Sequence, residues 1–339
     1  MERFKKFVRL VLKIFLIFFV LALLIVVWGL YKIPVREPKL FGVTFVSWIP
    51  ERFGMDGREV FSAVLDELQA RNLRLPVFWD RSEVADDEYN FEEIDWELRE
   101  AEKRNAKVIL AVGRKLPRWP ECHVPQWVKE KKDADFEKKK LLEFIEVVIK
   151  RYRDFPALYA WQIENEPFLP FGNDCPLYGG DFLDAELAEA RRLDSRHPVI
   201  VTDSGELSLW ARAARRADIF GTTLYRTVWR KNVGYYTYPL PPEFFRIKRA
   251  LSEIFSGPRQ SLVIELQTEP WGPYENYEFD RFALDEQLAV FNEKTFRESI
   301  EYAEKTGFDE FYLWGVEWWY WVKKQGHPEI WDEAKKLFL

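Results

Sequence analysis

WQIENEP, residues 161–167, places two carboxylic acids and an amide at the end of an apolar segment. The apolar residues before it have the length and composition of a buried strand. Charged groups in a protein interior cost several kcal/mol unless they are paired or used in chemistry. Pro167 has no N–H group to donate, so it predicts the end of the strand. We infer that this strand delivers Glu164, Asn165 and Glu166 to the mouth of a cavity.

Strand-like and helix-like patterns alternate eight times between Phe41 and Phe338. The predicted strands are 41–45, 73–79, 107–112, 157–163, 198–202, 219–224, 261–265 and 311–314. The predicted amphipathic helices are 59–73, 90–105, 135–151, 181–193, 207–216, 242–255, 293–306 and 329–338. This alternation predicts the α/β class and a single closed (β/α)8 TIM barrel. An open, doubly wound sheet is the alternative, although no glycine-rich phosphate loop follows the first strand.

Polar and aromatic residues concentrate directly after these strands, and the amino ends of the strands show no comparable concentration. The candidates are Trp79, Arg114, Trp119, Asn165, Glu166, Tyr225, Glu265, Trp271, Trp314 and Glu317. In a (β/α)8 barrel the active groups lie at the carboxyl ends of the strands. The sequence therefore predicts that these side chains surround one site.

Glu166 and Glu265 are carboxylates on different predicted strands. Two such groups facing each other across a barrel mouth suit glycoside hydrolysis: one, neutral, protonates the leaving oxygen, and the other, charged, attacks the anomeric carbon or activates water. For any single carboxylate the alternative is a structural ion pair with Arg74, Arg114 or Arg226. Structural pairing of all the carboxylates is not expected, because buried ion pairs add little net stability.

The segment from Phe41 to Trp319 resembles the clan of retaining (β/α)8 glycoside hydrolases that includes cellulase-like and family 42 β-galactosidase-like enzymes. In that clan strand four ends in Asn-Glu, often Asn-Glu-Pro, which residues 165–167 match here. Strand seven ends in the nucleophile, which Glu265 matches. The resemblance implies that Glu166 is the acid/base and that cleavage retains the anomeric configuration.

The resemblance also assigns roles to supporting residues. Arg74 matches an arginine of strand two, Tyr225 a tyrosine of strand six, and Trp314 a strand-eight tryptophan that forms the floor of the sugar site. Arg74 and Tyr225 would help to keep Glu265 ionised. Asn165 would hold the sugar 2-hydroxyl, a contact that strengthens in the transition state.

The sequence departs from the cellulase-like pattern at two strand ends. Gly113 and Arg114 stand where those enzymes usually carry a histidine after strand three. Thr223 and Leu224 precede the strand-six tyrosine, where a histidine is often found. Segment 113–120 is more similar to the galactosidase-like enzymes. The sugar, its linkage, and endo or exo action therefore stay open.

The chain is rich in aromatic residues, with 15 Trp, 14 Tyr and 28 Phe. Such side chains fill cores, but tryptophans close to polar motifs also suit stacking on the flat faces of sugars. We predict that Trp79, Trp119 and Trp271 contact the substrate. The other predicted substrate-binding residues are Arg74, Arg114, Asn165, Tyr225, Trp314 and Glu317.

Glu164 is a rival for the role of the acid. Strict alternation along a strand puts Glu164 on the same face as Glu166 and one layer deeper. We expect Glu164 to support the site rather than to transfer the proton. Glu206 and Glu269 are expected to lie in subsites or loops.

Cys122 and Cys175 follow the third and fourth predicted strands, so adjacent loops could bring them together. A location outside the cytoplasm permits a disulfide between them, and two free thiols are the alternative. The chain has only 3 histidines, and they are scattered without the spacing of metal ligands. We therefore expect no metal and no other cofactor.

Residues 14–31 contain no charged side chain, and a segment of about this length can cross a bilayer core. The five basic residues before it predict a cytoplasmic N-terminus. They are Arg3, Lys5, Lys6, Arg9 and Lys13. No small-residue cleavage site follows cleanly, so we predict an uncleaved transmembrane helix, with a cleaved signal peptide as the alternative. The predicted division is a basic stub and anchor at 1–31, a linker at 32–38 and one glycosidase-like domain at 39–339.

The formal net charge is −6, with acidic and basic residues interspersed, which gives no indication of a nucleic-acid-binding surface. The sequence predicts a single-pass, membrane-anchored glycoside hydrolase outside the cytoplasm. It would cleave a β-linked poly- or oligosaccharide by a retaining double displacement. A transglycosidase and a non-catalytic glycan-binding protein on the same barrel are the alternatives.

Overall fold

The computed structural model describes residues 2–32, 40–258, 260–273 and 282–339. Within these residues the strands are β1 (Leu40–Thr44), β2 (Asn72–Phe78), β3 (Glu83–Ala85), β4 (Glu88–Tyr89), β5 (Lys107–Gly113), β6 (Leu158–Ile163), β7 (Val199–Asp203), β8 (Ile219–Leu224), β9 (Thr227–Arg230), β10 (Gly234–Thr237), β11 (Gln260–Gln267) and β12 (Glu310–Trp314). Eight of them form a closed parallel barrel in the order β1-β12-β11-β8-β7-β6-β5-β2. The remaining four form two antiparallel hairpins, β3–β4 and β9–β10.

Helices connect most of the successive barrel strands. They are α1 (Glu2–Lys32), α2 (Ile49–Arg52), α3 (Gly57–Asp66), α4 (Trp79–Ser82), α5 (Glu92–Lys103), α6 (Gln126–Lys129), α7 (Ala134–Tyr152), α8 (Gly179–Leu193), α9 (Ala211–Ala214), α10 (Pro242–Ser256), α11 (Leu284–Val290), α12 (Glu293–Lys305), α13 (Val316–Lys324) and α14 (Glu329–Lys335). The closed ring of parallel strands confirms the predicted (β/α)8 barrel and rules out the open sheet.

One predicted helix, over residues 207–216, is largely wrong. Only α9 is helical there; Trp210 has a left-handed backbone with φ of 66°, so the helix can begin only after it. The turn before α9 is held by the carbonyl of Ser204, which accepts hydrogen bonds from the Ser208 hydroxyl at 2.8 Å and from the indole of Trp210 at 2.9 Å. Bonds of this kind compete with helix formation.

The barrel interior is filled by a small apolar cluster, separate from the larger core between strands and helices. Its members are Ile109, Ala160, Ile200, Ile219, Leu262, Ile264 and Tyr312. Gly42 makes room for the large ring of Tyr312, because a Cβ at residue 42 would lie 2.7 Å from that ring. The interior is therefore a packed core, and a cavity can form only above it.

The N-terminal helix α1 contains a stretch, Lys5–Gly29, that is long and apolar enough to cross a membrane, and no residue of its 18-residue apolar window is buried. This agrees in length and composition with the predicted anchor, although a signal sequence has the same properties. Residues 33–38 of the predicted linker lie outside the described residues.

Cys122 and Cys175 form a disulfide with a Cα–Cα distance of 5.3 Å, which is the pairing that the sequence predicts. The bond joins the loop after β5 to the loop after β6. It closes a loop with a sequence separation of 53 residues.

Replacing both cysteines by serine should lower the free energy of unfolding by about 4 kcal/mol, because the unfolded chain regains the entropy that this closed loop removes. Chemical denaturation of the full chain measures the change. Reduction of the native chain serves as the control and should cause a similar loss. An unchanged denaturation midpoint would show that the bond does not stabilise the fold.

Candidate active site

A cavity of about 340 Å³ lies at the carboxyl ends of the barrel strands. Both Glu166 and Glu265 line it, although they are 99 positions apart in the sequence. Five of the predicted substrate-binding residues also line it: Asn165, Tyr225, Trp314, Trp119 and Trp271. The barrel thus brings seven of the predicted site residues to one cavity.

Arg74 lies beneath this cavity and is completely buried. Its guanidinium donates to Oε1 of Glu265 at 2.7 Å, to Oδ1 of Asn165 at 2.9 Å and to Oε1 of Gln162 at 2.8 Å. The side chain is not exposed to the cavity, so direct contact with a substrate is excluded. Arg74 therefore positions Glu265 and Asn165, and this corrects its predicted substrate-binding role.

Glu265 is held from both sides. Its Oε1 accepts from Arg74 and its Oε2 accepts from the Tyr225 hydroxyl at 3.0 Å. Burial, followed by the charge of Glu265, raises the pKa of Tyr225 well above its usual value, so the hydroxyl keeps its proton and donates. The register between β11 and β8 shifts between Val263 and Glu265, and such bulges commonly re-aim a side chain next to an active site.

Glu166 lies just beyond the end of β6, and two of its hydrogen-bond partners are neutral hydroxyl groups. Its backbone N–H donates to the Thr202 hydroxyl at 2.8 Å, and its Oε1 accepts from the Thr223 hydroxyl at 3.3 Å. Burial raises the pKa of Glu166 well above its usual value; Lys115 opposes this rise, and the charge of Glu265 adds to it. Glu166 is therefore suited to hold a proton that it can donate.

Glu164 does not share a face with Glu166, and the expectation based on strict alternation is wrong on this point. The strand ends at Ile163, and both glutamates have left-handed backbones, with φ of 59° and 44°. The carboxylate of Glu164 accepts from the backbone N–H groups of Arg114 and Lys115, each at 2.8 Å. Glu164 thus fixes the loop after β5 and does not line the cavity.

A second buried ion cluster, centred on Arg118, supports the rim of the cavity. Its guanidinium donates to Glu269 at 2.5 Å and to Glu317 at 3.2 Å, and it lies 4.0 Å from the ring centre of Trp314. Arg118 and Glu269 both line the cavity. Sequence reasoning missed the role of Arg118, because nothing in a loop sequence indicates which distant carboxylates it will meet.

Glu317 lies behind this cluster rather than in the cavity. It is completely buried, and its Oε1 accepts from the backbone N–H of Val46 at 2.5 Å. Burial raises the pKa of Glu317 to about 7, although the charge of Arg118 opposes the rise. Its predicted contact with the substrate is therefore replaced by a role in holding Arg118.

Trp79 and Arg114 lie outside the cavity, so neither belongs to the proposed substrate-binding set. Trp79 is completely buried, donates to Glu83 at 2.6 Å and stacks on Phe144 at 5.9 Å. The guanidinium of Arg114 lies 3.8 Å from the ring centre of Tyr178 and donates to the carbonyl of Pro176. Both residues follow barrel strands, but their side chains point away from the cavity.

Aromatic rings form one wall of the cavity. Phe171 packs against Trp119 at 6.0 Å and against Trp271 at 6.4 Å between ring centres. Trp271 in turn meets Tyr225 edge to face at 5.3 Å. This chain of rings leads from the rim to the carboxylate of Glu265, and such surfaces suit the apolar faces of sugar rings.

Among the described residues, one group of acidic side chains is close enough to share a cation. It consists of Glu83, Asp86 and Asp87, which lie on or beside the β3–β4 hairpin and do not line the cavity.

The fold is similar to that of several solved glycoside hydrolases. A β-galactosidase from Bacillus circulans sp. alkalophilus matches with a TM-score of 0.60 at 12% identity, over 89% of this chain and 56% of that one. The β-galactosidase from the psychrophilic Marinomonas ef1 matches with a TM-score of 0.55 at 12% identity, over 81% and 53%. The chain therefore spans about half the length of these two enzymes.

Endo-glycoceramidase II from Rhodococcus sp., solved as a lactosyl-enzyme intermediate, matches with a TM-score of 0.53 at 13% identity, over 83% of this chain and 75% of that one. No protein-family model and no curated protein sequence matches the chain. At these identities the likeness extends to the fold alone, a (β/α)8 barrel that these glycoside hydrolases share with this chain.

Replacing Arg118 by methionine should lower the free energy of unfolding by about 3–5 kcal/mol, because Glu269 and Glu317 lose their buried partner. Chemical denaturation measures this change. Adding Glu317→Gln to the Arg118→Met chain should restore part of the loss, since one unpaired carboxylate is then removed. Equal stability of Arg118→Met and the parent chain would show that the ion cluster has no structural role.

Proposed function

We propose that this chain is a glycoside hydrolase that cleaves a β-linked glycan by a retaining double displacement. The observation that carries the proposal is the contrast between two carboxyl groups lining the same cavity. Glu265 accepts hydrogen bonds from Arg74 and Tyr225, whereas Glu166 has a neutral hydroxyl partner and a raised pKa. Environments that separate two carboxyl groups in this way assign one as the base or nucleophile and the other as the acid.

In the first step the Glu265 carboxylate attacks the anomeric carbon while the bond to the leaving oxygen breaks. Glu166 gives its proton to that oxygen, and a glycosyl-enzyme forms. In the second step Glu166 takes a proton from water, which attacks the same carbon and releases Glu265. The neighbour solved as a lactosyl-enzyme intermediate supports a covalent route on this fold.

Asn165, Trp314, Trp119 and Trp271 are the proposed substrate contacts. Oδ1 of Asn165 accepts from Arg74. The side-chain NH2 group of Asn165 then serves as the donor to a sugar hydroxyl beside Glu166. The tryptophans offer flat apolar surfaces for stacking.

The proposed enzyme is held in a membrane by α1, with the barrel outside the cytoplasm. The apolar stretch Lys5–Gly29 and the basic residues that precede and begin it support this orientation. The proposed division is an anchor at 1–31, a linker at 32–38 and a catalytic domain at 39–339. A disulfide between Cys122 and Cys175 agrees with an oxidising compartment.

Separate Glu166→Gln and Glu265→Gln chains test the two roles. Glu265→Gln should stop turnover of every glycoside. Glu166→Gln should slow substrates with poor leaving groups by about 10²–10⁴-fold, and affect formation of the glycosyl-enzyme from dinitrophenyl glycosides much less, because that leaving group needs no proton. Exposed Glu88→Gln on β4 is the matched control. Near-native hydrolysis by either active-site variant would remove that residue from the mechanism.

The pH dependence of kcat/KM tests the proton on Glu166. Activity should fall as the pH rises through the raised pKa of Glu166, because the acid is then lost. Lys115 holds this pKa down, so Lys115→Met should move the alkaline limb to higher pH. Exposed Lys139→Met should leave the limb in place. A shift to lower pH in Lys115→Met would contradict the assignment of Glu166 as the acid.

A further inference from the structure

A second cavity, of about 960 Å³, adjoins the candidate active site. The two cavities share Glu206 and Leu207 in their walls. The second cavity is an open groove between the loop after β7 and one side of α10. Its volume lies at the upper end of the range for small-molecule sites, so a long ligand group can occupy it while remaining connected to the first cavity.

The walls of this groove are rich in large apolar side chains. The loop supplies Leu207 and Leu209, and α10 supplies Phe244, Ile247, Leu251 and Phe255. Leu209 is 90% exposed and Phe255 is 81% exposed. Grouped apolar side chains left open to solvent mark a surface that contacts a ligand, a partner or a membrane.

The membrane helix forms part of the same groove. Val26 of α1 lines it, and α1 packs against α10. Val26 falls within the apolar stretch Lys5–Gly29, close to its barrel-side end. The groove therefore leads from the level of the lipid chains to the cavity that holds Glu166 and Glu265.

We propose that the substrate is a glycolipid of the membrane that α1 crosses. Its sugar enters the active-site cavity, and its alkyl chain lies in the groove along Leu207, Leu209 and Phe255. This inference rests on the proposed hydrolase activity and names its substrate class. Hydrolysis releases the lipid alcohol, whose oxygen receives the proton of Glu166, and water supplies the hydroxyl of the free sugar.

An alkyl chain suits the groove better than a second protein does. The groove borders the candidate active-site cavity at Glu206 and Leu207, so it lies within reach of a group joined to the sugar being cleaved. The chain would also pass directly from the bilayer, beside Val26, into the groove. It would therefore exchange one apolar environment for another without crossing water.

The test uses the full chain in phosphatidylcholine nanodiscs and a series of n-alkyl β-glycosides. The sugar is the one whose 4-nitrophenyl β-glycoside is hydrolysed fastest. Each fully buried methylene contributes about 0.8 kcal/mol, or roughly fourfold in kcat/KM. With partial burial, kcat/KM should rise at least about tenfold from the butyl to the octyl glycoside.

Leu209→Ser and Phe255→Ser should each reduce this octyl-to-butyl ratio, and together they should reduce it at least about fivefold, because they remove apolar contacts with the chain. Hydrolysis of the 4-nitrophenyl glycoside should not change in either variant. Val84→Ser alters another apolar side chain, 61% exposed and outside the groove, and should change neither quantity.

Two results would overturn the glycolipid proposal without affecting the hydrolase proposal. One is an octyl-to-butyl ratio of kcat/KM near one, and the other is a ratio that neither Leu209→Ser nor Phe255→Ser changes. If the groove variants bind nanodiscs less tightly but keep the octyl-to-butyl ratio, the glycolipid proposal is also overturned. That result would identify Leu209 and Phe255 as contacts with the bilayer. If no glycoside is cleaved, the hydrolase proposal fails by itself. Binding of a pyrene-labelled octyl glycoside then tests the groove: weakening in the two groove variants, but not in Val84→Ser, would support it, and equal binding would overturn it.

Discussion

The buried guanidinium of Arg74 is the interaction on which the candidate site depends. A completely buried positive charge is very costly unless it is paired and fully hydrogen-bonded. Arg74 meets this requirement by donating to Gln162, Asn165 and Glu265, and so it links β2 to β11 and to the carboxyl end of β6. Its guanidinium lies 2.7 Å from Oε1 of Glu265, and the charge of Glu265 in turn adds to the rise in the pKa of Glu166. One buried ion thus fixes the position of Glu265 in the wall of the cavity.

The loops around the cavity are held by the same requirement, that a buried charged group be paired and hydrogen-bonded. Glu164 satisfies two backbone N–H groups after β5, and Arg118 links Glu269 to Glu317 across the rim. The backbone at Glu164, Glu166 and Arg118 is left-handed, with positive φ. Residues other than glycine rarely adopt this conformation. Such strained residues persist only where the surrounding structure over-determines them, and they cluster at functional sites.

The fold and the two central carboxylates could be predicted from the sequence because they depend on local patterns. Periodicity marked all eight barrel strands and most of the helices, and an acidic group directly after an apolar strand is unusual enough to mark Glu166. The predictions failed where long-range contacts decide the outcome. The helix over 207–216 is interrupted at Trp210, and Trp79, whose indole was expected to contact substrate, turns into the core to bond Glu83.

By itself, the sequence determined a (β/α)8 barrel with carboxylates after the fourth and seventh strands and an apolar N-terminal helix, because periodicity and composition are properties of neighbouring residues. Only the tertiary structure decided the direction of each side chain beyond the strand ends, since positive φ values there break the alternation that a strand would impose. It likewise decided that Arg74 lies beneath the cavity, that Arg118 joins two distant glutamates, and that an apolar groove lined in part by α1 borders the cavity. These features arise from contacts between residues far apart in the chain, which no local pattern encodes.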